Sequence, residues 1–342
     1  MARLWTYGFE IGVIDPNEYA DSGFGVVTTG VAVARTGSYG YSAVGVQTYV
    51  RRTLAADKTE LFIRHPWYVQ APRPADDRCL LHLRNSDGDP MVDIMTVANT
   101  DQIKVCKWEG SAWTVLATSA QALALDTYQC IEAHIHLDNA GDFDIRVDGV
   151  DWITFPGDTL GDQTPASIRT VGFGADGAGQ WCRMLSFDDL AINDTTGGLN
   201  NSWCGRGGVY PLVPSTAGNI TGLIPSAGAN WQCVDEVPPN TTDYVYTSTV
   251  GSYDLYETAD PAPTAGSVMD LRIFGQAKLA AAGSGSGAMV LRTNATEYTS
   301  GATALDTTWR WLTQLRHEIN PFTGVQWTVA EIQALQIGLR GE

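Results

Sequence analysis

The stretch from Ile131 to Trp152, IEAHIHLDNAGDFDIRVDGVDW, decides the fold. Ile131, Ala133, Ile135 and Leu137 alternate with Glu132, His134, His136 and Asp138. Phe143, Ile145 and Val147 then alternate with Asp142, Asp144, Arg146 and Asp148. A period of two over consecutive runs specifies two strands, each with one dry face and one wet face. Closing them with a loop of Asn139, Ala140 and Gly141, Gly141 in the left-handed conformation, pairs Leu137 with Phe143, Ile135 with Ile145 and Ala133 with Val147. That register sets His136 opposite Asp144 and His134 opposite Arg146. Asp148-Gly149 is a second turn signal, and Val150 and Trp152 begin a third strand. A half-buried antiparallel meander of this kind belongs to the face of a sandwich, not to a parallel sheet.

Outward from the hairpin the pattern persists. Strands are expected at Leu4 to Phe9, Gly23 to Ala34, Tyr41 to Val50 and Glu60 to Val69. A meander of LLHLR, MVDIMTV, IKVCKW and WTVLA follows, with turns at NSDGD, ANTD and EGSA. After the hairpin come Ile168 to Gly174 and Arg183 to Ile192. In the latter, Leu185 and Phe187 are out of phase with Leu190 and Ile192, which predicts a bulge at Asp188-Asp189. The apolar pattern lapses after Asn193, so a domain of residues 1–195, a linker of residues 196–225 and a second domain of residues 226–342 are expected. The second domain reads as strands at Tyr244 to Val250, Met269 to Lys278, Ala288 to Arg292, Thr308 to Ile319 and Gln336 to Arg340. AGSGSG, residues 282–287, reads as a hairpin loop. Thr328-Val329-Ala330-Glu331 is a capping box that predicts one short helix over Val329 to Leu335. The fold class is therefore all-β: a sandwich, then a smaller β-sandwich with one helix near the carboxy terminus.

Composition narrows the function. The 342 residues carry 38 acidic and 21 basic side chains, a formal charge of -17, and that field excludes nucleic acid as a partner. MARLWTYGFE has no secretory pattern, and no run approaches the ~18 apolar residues of a membrane span, so synthesis in the cytoplasm without membrane insertion is expected. Without a signal peptide the sequons at Asn200, Asn219, Asn240 and Asn294 carry no weight. The six cysteines show no C-x-x-C pair and read as small buried hydrophobes, with a Cys204–Cys233 disulfide left open.

The amino-terminal text resembles the concanavalin A-like lectin/glucanase jelly roll in its laminin G-like version. The carrying residues are Tyr7-Gly8-Phe9-Glu10, IHLDNAGDFDIRVDG and IRTVGFGADGAGQWCRMLSFDDLAIND, within about residues 1 to 195. The carboxy-terminal text, with VDEVPP, YVYTSTVGSYDLYE and INPFTGVQWTVAEIQALQIGLR, resembles that of tailed-bacteriophage virion proteins. Together these resemblances imply a virion structural protein of the tail or capsid exterior, present in symmetric copies beside other virion proteins and touching host glycan. The alternative is a carbohydrate-binding module whose main task is receptor recognition. Glucanases of the jelly-roll family carry an E-x-D-x-x-E strand, whose carboxylates flank the glycosidic bond. This chain has no such strand, so no enzyme is expected.

Candidate sites follow from both readings. Trp108, Trp113, Trp152, Trp181 and Trp203 border turns, where aromatic faces can stack on sugar rings. By the family resemblance, Glu10 and Asp189 are the positions that would hold a calcium ion. His134 and His136 share a strand face at metal-compatible spacing, but Arg146 in the expected register opposes a cation there. Asn85 to Asp89, NSDGD, lacks the spacing of a calcium loop and reads as a hairpin turn.

Overall fold

The central hairpin forms, two residues out of the expected register. Strand Tyr128–His136 pairs with Gly141–Val147 so that Ile131 faces Val147, Ala133 faces Ile145 and Ile135 faces Phe143. His134 therefore faces Asp144 and His136 faces Asp142, and Arg146 lies across from Glu132 instead. A shift of two keeps every side chain on its face, so the dry row survives intact. Leu137 falls in the loop that results, its amide donating to Thr59 O at 2.8 Å. Gly141 is not left-handed. It is needed because a Cβ there would lie 2.3 Å from both His136 O and Thr159 Oγ1. The second turn is as expected: Asp148 at φ 54° and Gly149 at φ 81° form a two-residue reversal into Val150–Gly157.

The computed structural model describes residues 3–14, 21–22, 25–30, 32–43, 48–72, 75–175, 185–259 and 266–342. The chain divides into two compact units, Met1–Val209 and Tyr210–Glu342. In the first, one sheet runs Val150–Gly157, Gly141–Val147, Tyr128–His136, Glu60–Val69, Leu185–Phe187, Tyr39–Ala43 and Val26–Thr29 in spatial order. Leu190–Asn193 joins it, pairing with both Glu60–Val69 and Arg3–Tyr7. The other sheet runs Trp113–Ala122, Gln102–Trp108, Pro90–Thr96, Arg78–Arg84, Ile168–Gly174, Tyr49–Lys58 and Asp21–Ser22. All pairings between these strands are antiparallel, and the unit is a concanavalin A-like jelly-roll sandwich. Between the sheets lie Trp5, Phe9, Tyr41, Trp67, Phe173 and Phe187, all fully buried, with Phe187 packed at 4.6 Å from Trp67 and 4.8 Å from Tyr41 between ring centroids.

The predicted bulge forms. Phe187 faces Trp67 and Ala191 faces Arg64, so three residues oppose two, and Asp189 takes φ 53°.

No linker spans residues 196–225. Residues 202–209 lie against the outer face of the first sheet: Cys204 Sγ approaches Phe62 O at 3.5 Å, and Gly205 N donates to Glu132 Oε1 at 2.7 Å. Pro214–Thr221 is already a strand of the second unit. The lapse in hydrophobic pattern marks a segment pinned through polar groups.

The second unit is a β-sandwich. One layer is the sheet Pro214–Thr221, Tyr253–Thr258, Gln336–Gly341, Ser286–Thr293 and Thr296–Thr299. The other is a ribbon of three short antiparallel ladders, Ser267–Val268 with Trp327–Thr328, Leu271–Ile273 with Leu315–His317, and Gln276–Ala277 with Arg310–Trp311. Ile273, Met289, Leu291, Leu312, Leu315, Trp327, Ile332 and Leu335 fill the space between. AGSGSG is not a hairpin loop, since the strands flanking it pair with other partners. The helix Val329–Gln333 is capped as predicted, with Glu331 N donating to Thr328 Oγ1 at 3.2 Å and Thr328 N to Glu331 Oε2 at 2.8 Å. Among the described residues no helix is long and apolar enough to cross a membrane.

Candidate functional site

The residues proposed for calcium are brought into one neighbourhood, but protein donors already serve them. Asp189 is fully buried. Its Oδ2 accepts from Arg35 Nη1 at 2.7 Å, and its Oδ1 accepts from Thr36 Oγ1 and Val209 N, both at 2.6 Å. Asp188 beside it accepts from the amides of Arg35 and Thr36 at 2.8 and 3.2 Å. Glu10 accepts from Ser38 N and Tyr39 N. A guanidinium and a set of amides thus stand where a hard cation would need open oxygens, and the arrangement does not fit calcium.

Burial first, and then Asp189, push the Glu10 carboxyl up to about 7 against the pull of the two amides. A carboxyl whose folded pKa is raised binds its proton more tightly when folded. Its contribution is therefore full below about pH 4.5 and is lost as pH rises to about 7, on the order of 3 kcal/mol in all. Urea midpoints should fall across that window in the native chain and stay flatter in Glu10→Gln. Equal slopes in the two would refute the assignment.

The described cysteines are all free and buried, and Cys204 and Cys233 lie in different units. Burial raises the Cys106 and Cys130 thiols to about 11 and about 12, which makes both unreactive.

The tryptophans divide. Trp108 and Trp113 are cross-strand partners on the outer face of the second sheet, 5.1 Å apart between ring centroids and edge to face. Trp152 sits at a register shift in the strand Val150–Gly157, half-buried. Trp203 closes over the first sheet, with the Arg146 guanidinium 3.9 Å above its ring and the Phe62 ring 5.6 Å away. Trp181 lies outside the described residues.

The outer face of the second sheet also holds a cavity that sequence reading missed. It measures about 500 Å³ and is lined by Arg51, Thr53, Arg84, Asn85, Ser86, Gly88, Arg169 and Thr170. Strand register builds it: Thr53, Thr170 and Arg84 face one way across three adjacent strands, and Arg51, Gly172 and His82 form the next row. Gly172 carries no side chain, which leaves room between Arg51 and His82. The rim is the expected Asn85–Asp89 turn, in which Asn85 Oδ1 accepts from the amides of Asp87 and Asp89 at 3.1 and 2.8 Å. Arg84 Nη1 donates to Gly88 O at 2.8 Å, and Arg169 Nη1 reaches Asp57 at 3.3 Å. Beyond His82, the buried Asp93 bonds its Nδ1 and the Trp113 ring lies 6.3 Å away, so the tryptophan pair and the cavity share one face. Three guanidiniums beside two threonines, a serine and an amide are donors for carboxylate or sulfate together with hydroxyl groups, and no carboxylate appears among the described lining residues. No motif announces this, because Arg51, Arg84 and Arg169 come from three separate parts of the chain.

No family model and no curated sequence matches the chain. Among solved structures it is similar to the cellulose-induced protein Cip1, at 17% identity and TM-score 0.44, over 59% of this chain and 100% of that one. It is similar also to an endo-beta-1,4-glucuronan lyase from the fungus Trichoderma reesei, at 14% identity and TM-score 0.39, over 56% of this chain and 96% of that one. A third is the carbohydrate-binding module CBM66 from Bacillus subtilis, at 11% identity and TM-score 0.35, over 53% and 99%. Strand order and register, rather than these likenesses, make the first unit a jelly roll.

Proposed function

We propose that this chain is a non-enzymatic adhesion protein whose jelly roll binds an acidic polysaccharide in the arginine-lined cavity. The observation that carries the reading is the cavity itself: three arginines converge on one concave face of a chain whose formal charge is -17. A negative protein that concentrates guanidiniums at one place favours an anion there, and the hydroxyl and amide side chains between them suit a polyhydroxylated one. Trp108 and Trp113 on the same face supply stacking area for a polymer that extends past the cavity.

Electrophoresis through gels containing polygalacturonate or neutral dextran tests this. The chain should be retarded by the polyuronate alone, with affinity falling as salt rises. Arg51→Gln with Arg84→Gln should weaken retardation at least tenfold, the loss of about 1.4 kcal/mol or more expected when charge-assisted hydrogen bonds are removed. Equal retardation by dextran, or retardation unaltered in the double variant, would refute the proposal.

The setting proposed for this adhesion is a tailed-phage virion, where symmetric copies dock on neighbouring virion proteins and present the cavity to host glycan. The resemblance of the carboxy-terminal text supports that setting. Antibody against the chain should label purified virions on the tail or the head exterior, and unlabelled virions would rule it out while leaving glycan binding to its own test.

A further inference from the structure

We propose that His134, Asp142 and Asp144 hold a divalent transition-metal ion of the Zn²⁺ class on the outer face of the first sheet, remote in register from the arginine cavity on the other sheet.

The corrected hairpin register creates the site. His134 Nδ1 lies 3.0 Å from Asp142 Oδ2 and 3.5 Å from Asp144 Oδ2, and all three atoms fall within 4.8 Å of one another. Ligand atoms around a tetrahedral ion at about 2.0–2.1 Å sit about 3.3 Å apart, so the two histidine–aspartate separations match one coordination sphere. His136 Nδ1 stands 3.2 Å from the other Asp142 oxygen, at the rim.

The imidazole is also prepared on its far side. His134 Nε2 is 2.9 Å from Glu60 Oε1, and a proton donated there leaves the Nδ1 lone pair aimed at two carboxylates. That arrangement repels unless a positive charge lies between. A metal ion placed there meets all three ligand atoms at once. A carboxylate–histidine–metal relay, in which the outer carboxylate fixes the ring, is the arrangement that metal-binding histidines adopt. The ring is further held by a stack on Phe62, 4.4 Å between centroids with 13° between planes. Arg146, the expected obstacle, stands across from Glu132 instead of His134, with its Nε on Asp151 at 2.7 Å and its guanidinium on Trp203. His134 is 13% exposed while the three carboxylates are 30–36% exposed, so an ion can enter from solvent.

Cobalt(II) is the probe. Titration into the purified full chain should give visible d–d bands that saturate at one equivalent and are displaced by Zn²⁺. Trp203, whose ring centroid is 6.1 Å from that of His134, should lose fluorescence in step. Asp142→Asn with Asp144→Asn, both on the exposed side, should weaken binding at least 100-fold, and Glu60→Gln, which removes the outer partner, 10- to 100-fold. Absence of saturable binding would overturn the proposal. Binding unchanged in the Asp142/Asp144 double variant would overturn it as well, and would move the ion elsewhere, for example to the buried Cys79, His82 and Asp93.

Discussion

Replacing Arg35 with methionine should destabilise the chain by about 3–5 kcal/mol, the cost of stranding a buried carboxylate without its cation. Asp189 is fully buried and takes its shortest charged contact from Arg35 Nη1, whose side chain is 17% exposed. The same guanidinium closes residues 206 and 207 onto the loop, donating to Arg206 O at 2.8 Å and Gly207 O at 3.0 Å. Burial, and then Asp189, hold the neighbouring Asp188 carboxyl well above the usual carboxylate range. Removal of the cation leaves the charge on Asp189 uncompensated beside the already raised Asp188 carboxyl, so the deficit against the native chain should be greatest near pH 8 and shrink as pH falls and Asp188 takes up its proton. Urea denaturation at the two ends of that range measures it. Adding Asp189→Asn should recover part of the loss, because the side-chain oxygen still accepts from Thr36 and Val209. Strict additivity of the two substitutions would show that the pair is not coupled.

The second large effect belongs to the carboxy-terminal unit. Asp254 is fully buried and receives four donors: Gly222 N at 2.7 Å and Leu223 N at 2.8 Å on one oxygen, Asn230 Nδ2 at 2.6 Å and the Tyr256 hydroxyl at 2.8 Å on the other. One carboxylate thereby ties the turn after Pro214–Thr221, the short 3-10 helix Asn230–Cys233 and the strand Tyr253–Thr258. Asp254→Ala leaves four donors without a partner, and a loss of about 4 kcal/mol follows at roughly 1 kcal/mol each. Asp254→Asn keeps an acceptor for the two amides but sets an NH₂ against Asn230, and should cost about half as much. Tyr256→Phe removes a single donor and should cost about 1 kcal/mol. The order of the three urea midpoints is the test, and an alanine variant within about 1 kcal/mol of native would show that water replaces the carboxylate.

What the sequence disclosed, and what it hid, divides along the range of the interactions involved. The hairpin strands, the Asp148-Gly149 turn, the bulge at Asp188-Asp189 and the Thr328–Glu331 box are local, each written within a few residues. The hairpin loop is longer than the pattern suggests because Leu137 continues the apolar alternation, yet it lies in the loop, its amide bonded to Thr59 in the bend between two other strands. That difference hid the His134 cluster, since the expected register put Arg146 where Asp144 stands. Residues 196–209, the first part of the expected linker, look like one because they pack through hydrogen bonds from Gly205 and Val209, which leave no hydrophobic period. The arginine cavity was wholly hidden. Arg51, Arg84 and Arg169 meet only because the strand Ile168–Gly174 lies between Tyr49–Lys58 and Arg78–Arg84. That order is a property of topology, with no counterpart in spacing.

The bulge opposite His65 and Pro66 acts as a change of parity. Before it, odd-numbered residues, Leu185 and Phe187, point into the sandwich; after it, even-numbered ones, Leu190 and Ile192, do so. Descendants of this sequence can therefore exchange side chains on either flank freely within size, but loss of one residue between Phe187 and Leu190 would exchange inside for outside along one flank. With Asp188 and Asp189 kept, the flanking positions should exchange apolar side chains of similar size over evolutionary time while the length stays fixed, and libraries that vary Leu185, Phe187, Leu190 and Ile192 among apolar residues should yield folded chains far more often than libraries that vary the length.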